Sequence, residues 1–370
     1  MTIVLQGLTW DDPRGYGPLP EVDAAFARQY PQQVSVQWDV QPLGGFESAS
    51  LVELASRYDL LVLDHPHIGE ADACGALLPL GCLHESYIGL THESYTWNGL
   101  QWAVPIDAAC HVAAFRQDST LRPLRDWNAV FAAAEDGLQL ATPLGGVHAL
   151  MALLTLLASQ GAVVEDATGG QLPYATELTR AASRLQRLAR LGPAEALQWN
   201  PLDALRALAA RRCDYVPLTF GYAHFQAEGV YFAPVPAIGA RRPRAVLGGA
   251  GLAVSARCAH AEQARAYARF CGSRAVQMKL WPSTGGQPAH TAAWDMLGRR
   301  NAFYRDTRAA MENAFVRPRF AGWSKLQSRA GQAIHDWLCA DCEPPEVVAE
   351  QLHELWKPAP VHLLPQESLA

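Results

Sequence analysis

Apolar and polar positions change period several times along this chain, and each change marks an element. Ile3–Leu8 reads as an apolar strand, whereas Leu19–Tyr30 carries Val22, Ala25, Phe26 and Tyr30 at the spacing of one helix face. Val34, Val36, Trp38 and Val40 alternate with polar neighbours, the period of a half-buried strand. A helix is predicted over Ser48–Arg57, followed by the continuous run Leu60–Leu63 between Asp59 and Asp64, as in a buried parallel strand. Tyr95–Asp107 predicts a hairpin around Asn98-Gly99, and its second strand continues through Val112–Phe115. Further along come a helix at Asp126–Ala134, a strand at Leu138–Ala141, a long apolar helix at Val147–Ser159, and helices at Ala175–Leu191 and Leu202–Ala210. The strand Asp214–Thr219, the Gly-interrupted strand Val246–Val254 and the amphipathic helix Ala261–Gly272 complete the alternating part. Asn301–Trp356 is helical in pattern, and Pro358–Ala370 is aperiodic and reads as a loose tail. Strands alternating with helices predict an α/β protein.

Composition narrows the function. At 370 residues and 49% apolar content the chain has material for two domains. The net charge of −6 is spread over both signs without a run of Lys or Arg, which argues against a nucleic-acid partner. The longest apolar stretch, around Ala149–Ala158, is too short to span a bilayer. Met1–Trp10 runs directly into the first strand and has no secretory-signal pattern. Two localisations stay open on this reading: a periplasmic protein whose signal was trimmed before Met1, or a cytoplasmic one. Eight scattered cysteines form no disulfide framework; Cys339 and Cys342 make the one CxxC, without a preceding strand or a second ligand pair.

Several segments, taken in order, resemble the family 1 solute-binding proteins of ABC importers, the group that includes the maltose receptors. They are Asp59–Pro66 followed by Gly75–Leu80; Asn98–Asp107, similar to a "G-x-x-Y/W-A-V-P" strand; Leu247–Ala256 with the helix after it and Gly285–Ala289; and Ala330–Ile334 with Pro345–Trp356. The opening Gly7–Tyr16 departs from the sugar receptors and resembles a little-studied branch. The resemblance implies a two-lobed, type II periplasmic-binding-protein-like α/β fold with a ligand cleft between the lobes. The implied lobes are 1–108 plus 251–300 and 109–250 plus 301–357, with 358–370 outside both. Crossings are implied near Asp107–His111, near Gly248–Leu252 and around residues 300–310. The implied partners are a small-molecule ligand and, if the chain is exported, the ABC permease subunits; a monomer that closes by hinge rotation is expected.

In such a cleft, strand ends and helix N-termini face the ligand. Trp10, Asp11 and Arg14 follow the first strand, either touching ligand or forming a loop ion pair with Trp10 on the core. An inward Arg14 would suit a carboxylate. His65, at the end of the Leu60–Leu63 strand, is a ligand contact or, with Asp64 and His67, an incomplete metal set; no third ligand can be placed, and no metal is expected. Asp107 is a ligand contact or a hinge carboxylate, and Thr142 opens a turn that is an anion site or merely tight. Trp199, Asn200 and Tyr222 bracket the Asp214–Thr219 strand, Gly249 belongs to a hinge, and Gln287 offers hydrogen bonds.

No G-x-S-x-G, H-E-x-x-H or Rossmann fingerprint is present, so no catalytic residue and no cofactor are expected. The competing expectation is a cytoplasmic metabolite sensor or enzyme on the same fold, motivated by the missing signal and the eight cysteines.

Overall fold

A computed structural model describes residues 3–30, 34–42, 44, 50–116, 123–166, 171–173 and 175–356. The expected tail 358–370 and the first residues of the expected helix at Ser48 lie outside the described residues.

Strands β1 (Ile3–Trp10), β2 (Val34–Gln41) and β3 (Leu60–Leu63) run parallel. They are joined through the helices Leu19–Gln29 and Leu51–Arg57, the latter capped by Ser50, whose hydroxyl accepts the Glu53 N–H. Asn98 and Gly99, both at positive φ, turn the predicted hairpin between β4 (Thr96–Trp97) and β5 (Leu100–Gln101).

Strand β6 (Ala103–Arg116) is buried along almost its whole length; at ~3.3 Å per residue its 14 residues span about 46 Å. That reach lets one strand serve both halves of the sheet. Farther along are β7 (Tyr215–Phe220), β8 (Val230–Ala233) and β9 (Leu247–Val254). Ala103–Cys110 of β6 pairs antiparallel with β9, which pairs in turn with β3, while His111–Arg116 pairs with β7 and β8. The order is β2-β1-β3-β9-β6-β7, with β8 also on β6.

The register of β6 on β9 slips between Pro105 and Asp107, where proline offers no N–H to the ladder. Just beyond the slip, opposite Ala108, stands Gly249 at φ 113°, where a Cβ would lie 2.4 Å from the Asp107 carbonyl oxygen. Only glycine fits there without strain.

One core cluster, from Leu5 and Val22 to Leu205 and Phe232, runs through both halves, and each half has a further cluster of its own. On the first half, Leu5, Val22, Phe26, Tyr267 and Trp281 pack on one face and Leu8, Leu61, Ile68, Tyr95 and Trp102 on the other. In the second, the helix Val147–Ser159 has twelve of its 13 residues buried and packs against Ala175–Leu191 and Trp323–Ala340, which accounts for its apolar sequence on every face.

Three expectations shift. Leu138–Ala141 is a single bridge, Leu140 to Tyr215, because Asp214 caps the Gln139 N–H and the chain then enters the Thr142–Gly146 turn. Most of 300–310 lies in the helix Ala302–Asn313, and the extended stretch comes after it, where Phe315 bridges Val246. Asn301–Trp356 is three helices, Ala302–Asn313, Trp323–Ala340 and Pro345–Trp356, with non-helical stretches at 314–322 and 341–344. No described helix is long and apolar enough to cross a membrane.

Candidate functional site

Where β1 ends, Asp12 accepts the Arg14 N–H at 2.9 Å and caps the short helix Pro13–Tyr16. That turn aims Arg14 inward, where its side chain is 5% exposed. Its Nε donates to Asp107 Oδ2 at 2.7 Å, Nη2 donates to the other carboxylate oxygen, and Nη1 donates to the Gly221 carbonyl at 3.1 Å. The guanidinium also lies over the Tyr222 ring, 4.5 Å from its centre. Arg14 thus ties the first half of the sheet to the crossing strand β6 and to the loop after β7. Burial opposes its charge, and Asp107 more than offsets this, holding the guanidinium above its ordinary range. Burial pushes the Asp107 carboxyl up, against the pull of Arg14.

A second ion pair stands at the end of β3. Arg317 Nη2 donates to Asp64 Oδ2 at 2.6 Å and its Nη1 to Gln327 at 3.2 Å. Burial works against ionisation of Asp64, but Arg317 and then His65 outweigh it and hold the carboxyl well below the usual range. Burial, with the Arg317 charge nearby, pushes His65 and His148 down to about 4. His111, buried beside His148 and Arg317, is likewise held low. These rings are neutral at pH 7, so the two arginines carry the positive charge of the region.

A cavity of about 50 Å³ lies between the pairs, bounded by Trp10, Arg14, Asp64, Asp107, His148, Phe220, Tyr222 and the backbone of Gly248–Ala250. Trp10, Phe220 and Tyr222 bring aromatic surface to its wall, and Arg14, Asp64 and Asp107 bring charge. Such a surface can bind hydroxyls or a small charged group while stacking on an apolar face.

Of the residues singled out from the sequence, Trp10, Arg14, Asp107, Tyr222 and Gly249 line this cavity. The others are placed elsewhere. Asp11 is exposed at the sheet edge, with its N–H on the Gln41 carbonyl. His65 is buried against Tyr95, their ring centres 6.2 Å apart. Thr142 is buried before the Val147–Ser159 helix, and Trp199 lies beneath the Arg212 guanidinium. Asn200 caps the helix Pro201–Ala209 in a reciprocal box with Asp203. Gln287 is taken up by backbone: Nε2 donates to the Ala108 and Gly221 carbonyls, and Oε1 accepts the Ala223 N–H. Gln287 and Arg14 therefore share the Gly221 carbonyl and brace the crossing.

His148 and Arg317 were missed, whereas Phe220, which with Gly221 and Tyr222 follows the Asp214–Thr219 strand, does line the cavity. His148 hides in an otherwise apolar helix, and Arg317 falls inside the Asn301–Trp356 region read as helical, where the chain is non-helical over 314–322 and its partner is 253 positions away. Among the described residues no group of three or more His, Cys, Asp or Glu side chains is placed to hold a metal ion. Cys339 and Cys342 are free and exposed, with Cys339 Sγ 3.5 Å from His335 Nε2.

No family model matches the chain, and no curated protein sequence matches it. Solved structures do. Maltose-bound MalE3 of T. maritima superposes with a TM-score of 0.81 at 20% identity, over 96% of this chain and 99% of that one. The GacH receptor of Streptomyces glaucescens gives 0.81 at 15% identity, over 96% and 97%. An ABC transporter solute-binding protein of Agrobacterium radiobacter K84 in complex with ribitol gives 0.80 at 18% identity, over 95% and 97%. The chain thus has the two-lobed α/β fold of the type II periplasmic binding proteins, as its motif order implies.

Proposed function

We propose that this protein binds a small polar solute, a polyol, sugar or small organic acid, in the cleft between its lobes and passes it chemically unchanged to the permease subunits of an ABC importer. The observation that carries the reading is the cavity at the strand crossings, lined by Trp10, Phe220 and Tyr222 together with the Arg14–Asp107 pair and with Asp64, whose own partner is Arg317. Comparable folds were solved with maltose, ribitol and α-D-tagatose bound. In this reading Tyr222 and Trp10 stack on the solute, while Asp64, Asp107 and Arg14 exchange hydrogen bonds with its polar groups. The lobes divide where β6 and β9 cross, near 108 and 250, and hinge there around Gly249. The protein acts as a monomer on the outer side of the membrane that carries the permease.

Thermal unfolding against a library of polyols, sugars and small acids tests this. A solute at about 100 times its dissociation constant adds ~2.7 kcal/mol to the native state. Such a solute, recovered unaltered, supports the reading; one that is consumed refutes it.

A further inference from the structure

The segment between the helices Ala302–Asn313 and Trp323–Ala340 does more than connect them. Phe315 bridges Val246 beside the crossing, Arg317 reaches Asp64 at the cavity wall, and Arg319, two residues on, reaches in both directions. Its backbone N–H and Nε both donate to Asp166, at 2.9 and 2.7 Å, in the half built around Val147–Ser159. Its Nη1 donates to the carbonyls of Glu93, Ser94 and Thr96 at 2.5, 3.0 and 2.7 Å, in the half built around β1 and β3. The guanidinium covers Trp97, 5.3 Å from the ring centre. The strap lies flush on the first half: a Cβ on Gly69 would stand 1.8 Å from the Arg319 carbonyl oxygen.

Resting on the solute-binding reading, we infer that Arg319 is a specificity-determining clasp: it joins the two lobes across the Asp64 end of the cleft and limits the solute to a compact molecule, no larger than about one sugar ring. A cavity of about 50 Å³ accommodates only a few waters' worth of ligand, at roughly 10–15 Å³ each. Further room has to come from lobe separation, and on this side separation breaks a charge-assisted bond to Asp166 or three to carbonyls. A chain-like ligand that protrudes past Asp64 meets the strap itself.

The test is a size ladder, glycerol, ribitol, glucose, maltose and maltotetraose, titrated calorimetrically into the wild type, Arg319→Ala and Asp166→Asn. A spin-label distance between Asp72 and Arg180, each changed to Cys in a background whose exposed native cysteines are Ser, is measured alongside. The inference expects wild type to bind maltotetraose at least ~100-fold more weakly than its best compact ligand, and both variants to narrow that gap and lengthen the label distance. Equal wild-type affinity for maltotetraose and the compact ligands overturns the size limit and leaves solute binding intact. If no member of the ladder binds any of the proteins, the solute-binding reading fails on these ligands and the label distance decides the clasp: lengthened distances in both variants uphold it, unchanged distances overturn it.

Discussion

Arg14 and Asp107, 93 positions apart in the chain, meet as a buried two-pronged ion pair at the point where β6 passes from one half of the molecule to the other. A residue of the short helix Pro13–Tyr16 and a bulged strand residue are held together there because neither has water to turn to. Breaking the pair from one side strands a charge. Asp107→Leu or Arg14→Met is expected to cost about 3–5 kcal/mol in denaturant unfolding, and the double replacement to recover most of it. Additive losses would show that the two side chains are independently solvated.

Gly249 gives a sharper steric prediction. Gly249→Ala forces both a positive φ and a Cβ 2.4 Å from a backbone oxygen, whereas Gly75→Ala, also at positive φ, meets nothing within 4 Å. The first should lower stability by more than 2 kcal/mol and the second by about 1 kcal/mol, compared by thermal melting. Equal losses would mean that the β6–β9 crossing relaxes easily.

Stability should depend on pH in a defined window. His65 and His148 titrate at about 4 in the folded protein and near 6.5 once unfolded, so the unfolded chain binds more protons between those values. Their contribution is present above pH 6.5 and is lost as pH falls toward 4. Asp23 works the other way. Burial raises its carboxyl to about 6, against the hydrogen bond from Tyr267, so its contribution is present below the unfolded value and lost as pH rises through 6. The two histidines outweigh one aspartate. Unfolding free energy should therefore rise from pH 4 to 6.5, with a shallower slope in His148→Gln and a steeper one in Asp23→Asn.

Much of the fold was legible because periodicity carried it. Val147–Ser159, Ala175–Leu191 and Ala261–Gly272 begin and end where the pattern changes, and Asn98-Gly99 turns as its sequence demands. The cavity was legible only in part. Trp10, Arg14, Asp107, Tyr222 and Gly249 stand at strand ends and crossings, positions that sequence can locate. Asn200 and Gln287 sit in equally suggestive places, yet their polar atoms are consumed by a helix cap and by crossing-strand carbonyls. The Asn200-Pro201-Leu202-Asp203 pattern carried that capping signal. Arg317 and Arg319 lie where a helical pattern was read across 301–356 but the chain is non-helical, over 314–322; their roles come from partners brought close by the fold.

The most direct test of the central claim is calorimetric titration of the best library solute into the wild type, Tyr222→Ala, and Arg180→Ala/Arg184→Ala. The last pair alters an open groove of about 870 Å³ on the outer face of the helix Ala175–Leu191. Binding at the strand crossings predicts that Tyr222→Ala weakens the solute by about 10- to 100-fold, or ~1.4–2.7 kcal/mol, with no change in the arginine double variant. Undiminished binding in Tyr222→Ala, or its loss in Arg180→Ala/Arg184→Ala, would contradict the account.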